Sequence, residues 1–330
     1  MPEILITHPR LIPPGPHYQI LRDGGFEIRL PPPDVDPMQV EVLADLIGSA
    51  EAVITGVEPF NRQIIEGARS LRVVARCGVG YDSVDVDACD DTNIVVITTP
   101  GTNHHAVAEH ALAMMLALSR GFPARDLMVR ESRPWKKPPL PRFAGSTVGI
   151  VGLGRIGKAL AERLISLQVE VIAFEPFPDA AFAEQYNVEY TTLEDLLSRS
   201  DFISLHLPVT AETEGLINQQ TLGKMKSSAM LINTARGGLI AEQDLIAALT
   251  SGEIAAAGLD VMRSEPPQAD DPLLQQENIL LSPHAAGVDQ QAHHDSIVMV
   301  AETLVALHQG RWPKECIVNL AGVTDWKWKV

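Results

Sequence analysis

The chain has 330 residues, 45 % of them hydrophobic, which suits two domains that each bury an apolar interior better than one ordinary core. Its 26 Lys and Arg against 42 Asp and Glu give a formal net charge of -16, which argues against nucleic acid or an anionic membrane as partner and means that an anionic small substrate needs a local cationic site. No apolar run approaches the roughly 20 residues of a membrane span, MPEILITHPR reads as a first strand instead of a signal peptide, and Cys77, Cys89 and Cys316 lack metal-ligand spacing. The expected setting is therefore a reducing cytoplasm, with no bound metal and no membrane.

In chain order, the first hundred residues alternate β-rich runs with helical patterns: EILITH, a helix over Met38 to Ser49, AVITG, a helix over Asn61 to Ser70, RVVARCG and IVVITTP. This is the rhythm of a parallel sheet with crossover helices. Pro31, Pro32 and Pro33 mark a loop. Asn103 is a plausible N-cap for a long apolar helix carrying Val107, Ala111, Met114, Met115 and Leu118. The proline-rich ESRPWKKPPLPRFAGS then breaks the pattern, with Trp135, Lys136 and Lys137 in a loop or arm. A second α/β rhythm follows through TVGIVGLG, VEVIAFEP, DFISLHLP, AMLINTA, AAAGLDV and NILLSPH, which predicts six strands in a doubly wound sheet. Val288 to Gln309 again reads as helix, and WPKECIVNL as a short terminal segment.

Gly152, Gly154 and Gly157 in VGIVGLGRIG stand in G-x-G-x-x-G spacing between an apolar strand and the helical run KALAERLISL. The first glycine permits the tight turn, the second lets backbone approach a pyrophosphate, and the third allows close helix-to-strand packing. Glu175 ends the next strand at the spacing of an acid that hydrogen-bonds an adenosine ribose. FPDAA after it offers no cation for a 2′-phosphate, so NAD is expected over NADP.

Arg236, Glu265 and His284 each follow one of the later apolar runs. A guanidinium, a carboxylate and an imidazole at parallel-strand ends are the parts of an anion-binding acid/base site. Hydride exchange at an alcohol beside a carboxylate needs a fork of donors, a proton carrier near neutrality and a group that orients the carrier. Those tasks suit Arg236, His284 and Glu265 respectively.

Taken together, the fingerprint, NTARGG, GLDVMRSEPP, SPHAAG, RCGVGYDSVD and VAEHALAMML resemble the D-isomer-specific 2-hydroxyacid dehydrogenase family over nearly the whole chain. The resemblance implies two doubly wound parallel-sheet domains. The substrate domain would be discontinuous, residues 1–101 and 288–330, around an NAD-binding Rossmann domain of residues 102–287, with homodimers joined through the cofactor domains. It implies Arg236, Glu265 and His284 as the catalytic trio, Arg155 and Ile156 on the pyrophosphate, Glu175 on the ribose and Leu207 and Thr234 at the cofactor's walls. Asp260 would meet the nicotinamide carboxamide, and Ala235, Arg236, His284 and Ala286 would line the same cofactor site. Val79 and Gly80 would offer backbone N–H groups to the substrate carboxylate, a role suited to a glycine-flanked anion nest.

Within the family the chain looks most like phosphoglycerate dehydrogenases. The expected substrate pair is 3-phosphoglycerate and phosphohydroxypyruvate, with glyoxylate/hydroxypyruvate reductase as the alternative. Arg76 matches a cation near the substrate phosphate, whereas Thr55 stands where a second arginine often occurs. Lys136 and Lys137 resemble an arm that reaches a partner subunit. A different class, an NAD-sensing corepressor-like binding protein, shares the trio. A formate dehydrogenase on the same fold is disfavoured by Glu265, where an amide commonly stands.

Overall fold

The computed structural model describes residues 1–135, 138–323 and 326–328. Lys136 and Lys137 lie outside the described residues. The chain forms two compact units, Met1–Asn103 with Asp289–Val330, and His104–Val288.

In the first unit, β1 (Glu3–Ile6), β2 (Glu27–Arg29), β3 (Ala52–Thr55), β4 (Val73–Arg76) and β5 (Val95–Ile97) form a parallel sheet in the order β2-β1-β3-β4-β5. Its strands are apolar on both faces because helices cover both. Alternate residues of β4 therefore serve different cores, with Val73 and Ala75 on one side and Val74 on the other. The C-terminal helix Gln290–His308 contributes Ile297, Val300, Ala301 and Leu304 to the first of these cores. The helices expected over Met38 to Ser49 and Asn61 to Ser70 occur as Val40–Ile47 and Arg62–Gly67, the second capped by the Asn61 side chain accepting from Ile64 N at 3.0 Å.

In the second unit, β6 (Thr147–Val151), β7 (Glu170–Phe174), β8 (Glu189–Tyr190), β9 (Phe202–Leu205), β10 (Met230–Asn233), β11 (Ala256–Leu259) and β12 (Ile279–Leu281) pair in parallel in the order β12-β11-β10-β9-β6-β7-β8. The sheet has seven strands, not the six expected: β8 is an edge pair of residues, too short to show a periodic signal. Strand β2 was likewise absent from the expected set, being a three-residue edge strand with no buried residue. Val148 and Ile150 of β6 point into one core and Val151 into the other. The apolar helix His104–Ser119 buries Ala108, Ala111, Met114 and Met115 in the first of these cores, within its own unit.

Both sheets place the loops that follow their strands at the carboxyl edge. The second has its topological switch point between β6 and β9, where ligands bind in open α/β sheets.

Candidate active site

At the end of β6 the chain turns at Gly152, φ 99°, a left-handed conformation open to glycine. A Cβ on Gly152 would stand 2.8 Å from the His206 carbonyl carbon and 3.0 Å from Leu207 Cδ2, so the turn packs against the exit of β9. A Cβ on Gly157 would lie 2.3 Å from Gly152 O, which makes the close helix-to-strand approach impossible for any larger residue. At Gly154 nothing lies within 4 Å of a built Cβ, and this residue N-caps the helix Arg155–Ser166. Exposed Arg155 and half-buried Ile156 begin that helix. An open backbone face at a helix N-terminus fits a pyrophosphate.

Glu175, just past β7, accepts from Leu153 N at 2.7 Å through Oε2 and from Phe177 N at 2.9 Å through Oε1. Its carboxylate is thereby fixed beside the glycine turn. Across the switch point, Thr234 follows β10. It is 7 % exposed, and its Oγ1 is enclosed without a hydrogen-bond partner. A buried unmet hydroxyl at this edge is suited to a polar ligand. These residues fit a dinucleotide.

Arg236 stands three residues beyond β10 on a turn clamped by buried Asn233, whose Nδ2 donates to Arg236 O at 2.8 Å and whose Oδ1 accepts from Ala235 N at 3.0 Å. The guanidinium donates to Ala235 O at 2.7 Å. Gly237 ties this turn to the next loop: a Cβ there would stand 2.1 Å from Met262 O.

Strand β11 ends at Leu259, so the residue at the strand end is Asp260, with Glu265 further along the loop. The sequence reading of Glu265 as a strand-end residue is corrected accordingly. The chain leaves the sheet at Asp260 because that residue is engaged with the loop after β12. Its carboxylate, 1 % exposed, accepts from Ala285 N and Ala286 N, each at 2.8 Å, and its carbonyl accepts from His284 N at 2.8 Å. His110 Nε2 lies 3.6 Å from Asp260 Oδ1. The clamp holds His284 at φ 51°, a left-handed conformation that costs a non-glycine residue about 1–3 kcal/mol.

His284 and Glu265 meet. Nδ1 lies 2.6 Å from Glu265 Oε2, while Glu265 Oε1 accepts from Met262 N at 2.9 Å. Burial pushes the Glu265 carboxyl up, but the hydrogen bonds from His284 and Met262 N–H outweigh it and hold the group below its ordinary value. An ionised Glu265 makes Nδ1 the donor, which leaves Nε2 to exchange a proton.

In the first unit, Arg76 ends β4 and folds back over the following turn. Its Nη1 donates to Cys77 O at 3.4 Å and would stand 3.2 Å from a Cβ on Gly78. Val79 is exposed and Gly80 half-buried on the same turn. Buried Thr55, in register with Arg76, donates through Oγ1 to Glu58 Oε2 at 2.8 Å.

The structure thus joins His284 to Glu265, and Asp260 to the His284 loop including Ala286. Arg236 stands on the neighbouring strand's exit. Asn233, Gly237, His110 and Glu58 escaped the sequence reading. The first two lie inside the NTARGG string and were signalled there, whereas single polar residues such as Glu58 carry no periodic mark.

Residues 112–286 match the family model described as D-isomer specific 2-hydroxyacid dehydrogenase, NAD binding domain. The chain is 38 % identical over 288 residues to a D-3-phosphoglycerate dehydrogenase of Mycobacterium tuberculosis, covering 87 % of this chain and 54 % of that protein. It is 37 % identical over 291 residues to a glyoxylate reductase of Korarchaeum cryptofilum, covering 86 % of this chain and 87 % of the relative. The crystal structure of TT0316 protein from Thermus thermophilus superposes with a TM-score of 0.86 at 31 % identity, over 96 % of this chain and 100 % of that one. The chain belongs to the D-isomer-specific 2-hydroxyacid dehydrogenase family, as its motifs indicated. It spans about half the length of the D-3-phosphoglycerate dehydrogenases it matches.

Proposed function

We propose that this chain is an NAD-dependent oxidoreductase that interconverts a small D-2-hydroxyacid and its 2-oxoacid, with Arg236, Glu265 and His284 as catalytic residues. The observation that carries this reading is the 2.6 Å contact of His284 Nδ1 with Glu265 Oε2 on a loop clamped by Asp260. NAD, when bound, supplies the hydride acceptor. Gly152, Gly154, Arg155, Ile156 and Gly157 would hold its pyrophosphate, Glu175 its ribose, and Leu207, Thr234, Ala235, Asp260 and Ala286 its remaining length.

In oxidation, His284 Nε2 takes the proton of the substrate hydroxyl, and in reduction it returns that proton to the forming alcohol. Glu265 holds the ring by Nδ1 and offsets the charge that the imidazole gains. Arg236 presents parallel N–H donors to the substrate carboxylate and carbonyl oxygen, where negative charge gathers. Val79 and Gly80 of the first unit, which is the substrate domain on this reading, offer amide N–H groups to the carboxylate.

No helix among the described residues is long and apolar enough to cross a membrane. The reading includes a cytoplasmic homodimer. The helix Phe122–Arg130 buries none of its residues and exposes Phe122 at 62 % and Val129 at 62 %, as a face covered by a second copy would.

The test is NADH consumption by the purified protein with glyoxylate, hydroxypyruvate, phosphohydroxypyruvate and pyruvate. Turnover of at least one is expected. NADH binding without turnover of any, together with capture of a peptide partner, would favour the corepressor-like reading instead.

A further inference from the structure

The first unit has its own switch point. Its order β2-β1-β3-β4-β5 reverses between β1 and β3, and the crevice outside the carboxyl ends of those two strands is the favoured ligand position in an open parallel sheet. His8 lies just past β1, Thr55 ends β3, and Gly56 and Glu58 follow it.

Glu58 is 2 % exposed. Its Oε2 accepts from Thr55 Oγ1 at 2.8 Å and from Gly56 N at 2.5 Å, while Oε1 is enclosed with no hydrogen-bond partner. A Cβ on Gly56 would stand 3.0 Å from His8 Cδ2 and 3.1 Å from Glu58 Oε2, so the imidazole and the carboxylate flank the same α-carbon. His8 Nδ1 accepts from Arg10 N at 3.2 Å, which places the ring proton on Nε2. Burial pulls His8 down to about 4, against Glu58 and with Arg10, Arg76 and His293 adding to the fall. The ring is therefore neutral near pH 7, and the pair offers one strong acceptor and one neutral donor.

We propose that Glu58 and His8 are specificity-determining residues that accept a hydroxyl on the carbon next to the 2-oxo group and reject a phosphate there. This rests on the 2-oxoacid reading above. A hydroxyl donates to Glu58 Oε1 and accepts from His8 Nε2 at once, whereas a phosphate near neutral pH chiefly accepts and brings negative charge against a buried anion. The opposing cations are weaker. Arg10 is exposed, so water screens it, and Arg76 folds back onto its own turn. A buried acceptor left unpaired discriminates strongly against a substrate that cannot fill it.

The experiment measures kcat/KM with NADH for hydroxypyruvate, phosphohydroxypyruvate and glyoxylate in the wild type, Glu58→Gln and His8→Phe, with Tm for each. The wild type is expected to favour hydroxypyruvate over phosphohydroxypyruvate by at least about 10-fold, a modest value for a site built to hydrogen-bond a hydroxyl. Glu58→Gln keeps an amide oxygen for Thr55 and Gly56, and it should lower that ratio by about 10-fold or more, as should His8→Phe. The hydroxypyruvate-to-glyoxylate ratio should fall with it, since glyoxylate has no third carbon. Preference of the wild type for phosphohydroxypyruvate, or an equal loss on all three acids in Glu58→Gln, overturns the proposal while leaving the 2-oxoacid reading in place. Absence of turnover on all three, with NADH bound, overturns both.

Discussion

His284 and Glu265 divide one task between them: the imidazole carries the proton and the carboxylate fixes which nitrogen does so. Because the Glu265 carboxyl lies below its ordinary value, it stays ionised throughout the neutral range. The sign follows directly: a depressed carboxyl supports the pair above its unfolded pKa, and that support is lost as pH falls through the depressed value. Glu265→Gln removes the negative partner, so the protonated ring is held less firmly. Reduction by the variant is expected to fall off at lower pH than in the wild type. An unchanged kcat profile would contradict the assigned partnership. Both residues were legible in the sequence by chemical type and by the runs they follow. Their separation from the strand ends was not, because it depends on where Asp260 turns the chain out of the sheet.

At the scale of elements, the site is a set of loops locked to one another by backbone contacts. Asp260 joins the exits of β11 and β12 with both carboxylate oxygens, and Asn233 and Gly237 join the exit of β10 to the loop carrying Glu265. Asp260→Ala would leave buried N–H groups of Ala285 and Ala286 unmet, at about 1–3 kcal/mol for an unsatisfied donor. The expected outcome is a lower Tm together with a kcat loss exceeding the loss in folded fraction. Normal kcat in the folded variant would remove Asp260 as the anchor of His284. Gly237→Ala forces a methyl into Met262 O and is expected to destabilise by about 1–3 kcal/mol, the usual range for overpacking, as read by chemical denaturation. A silent substitution would contradict the tight approach of the two loops. Central strands were readable because each is apolar and buried on both faces. The edge strands β2 and β8 were not, because exposed pairs of two or three residues carry neither length nor periodicity.

For the molecule as a whole, a net charge of -16 leaves anion recognition to a few local groups, and Glu175 adds a negative charge where a 2′-phosphate would sit. Glu175→Ala is expected to raise kcat/KM with NADPH relative to NADH. Strong NADPH use by the unaltered protein would contradict the cofactor preference. The family was legible because the glycine fingerprint and the NTARGG and SPHAAG strings lie far apart in sequence yet serve one sheet edge. Substrate selection was not legible, since it rests on Glu58 and His8, isolated polar residues whose burial and unmet hydrogen bonds appear only in three dimensions. The measurement that tests the account most directly compares NADH oxidation by the wild type and His284→Asn on a 2-oxoacid that the wild type reduces, with NADH affinity and product chirality recorded. The wild type should form the D-isomer, and His284→Asn should retain NADH binding while turning over about 10²–10⁴-fold more slowly, the span of general acid–base catalysis. Equal rates in the two proteins, or an L-product, would contradict it.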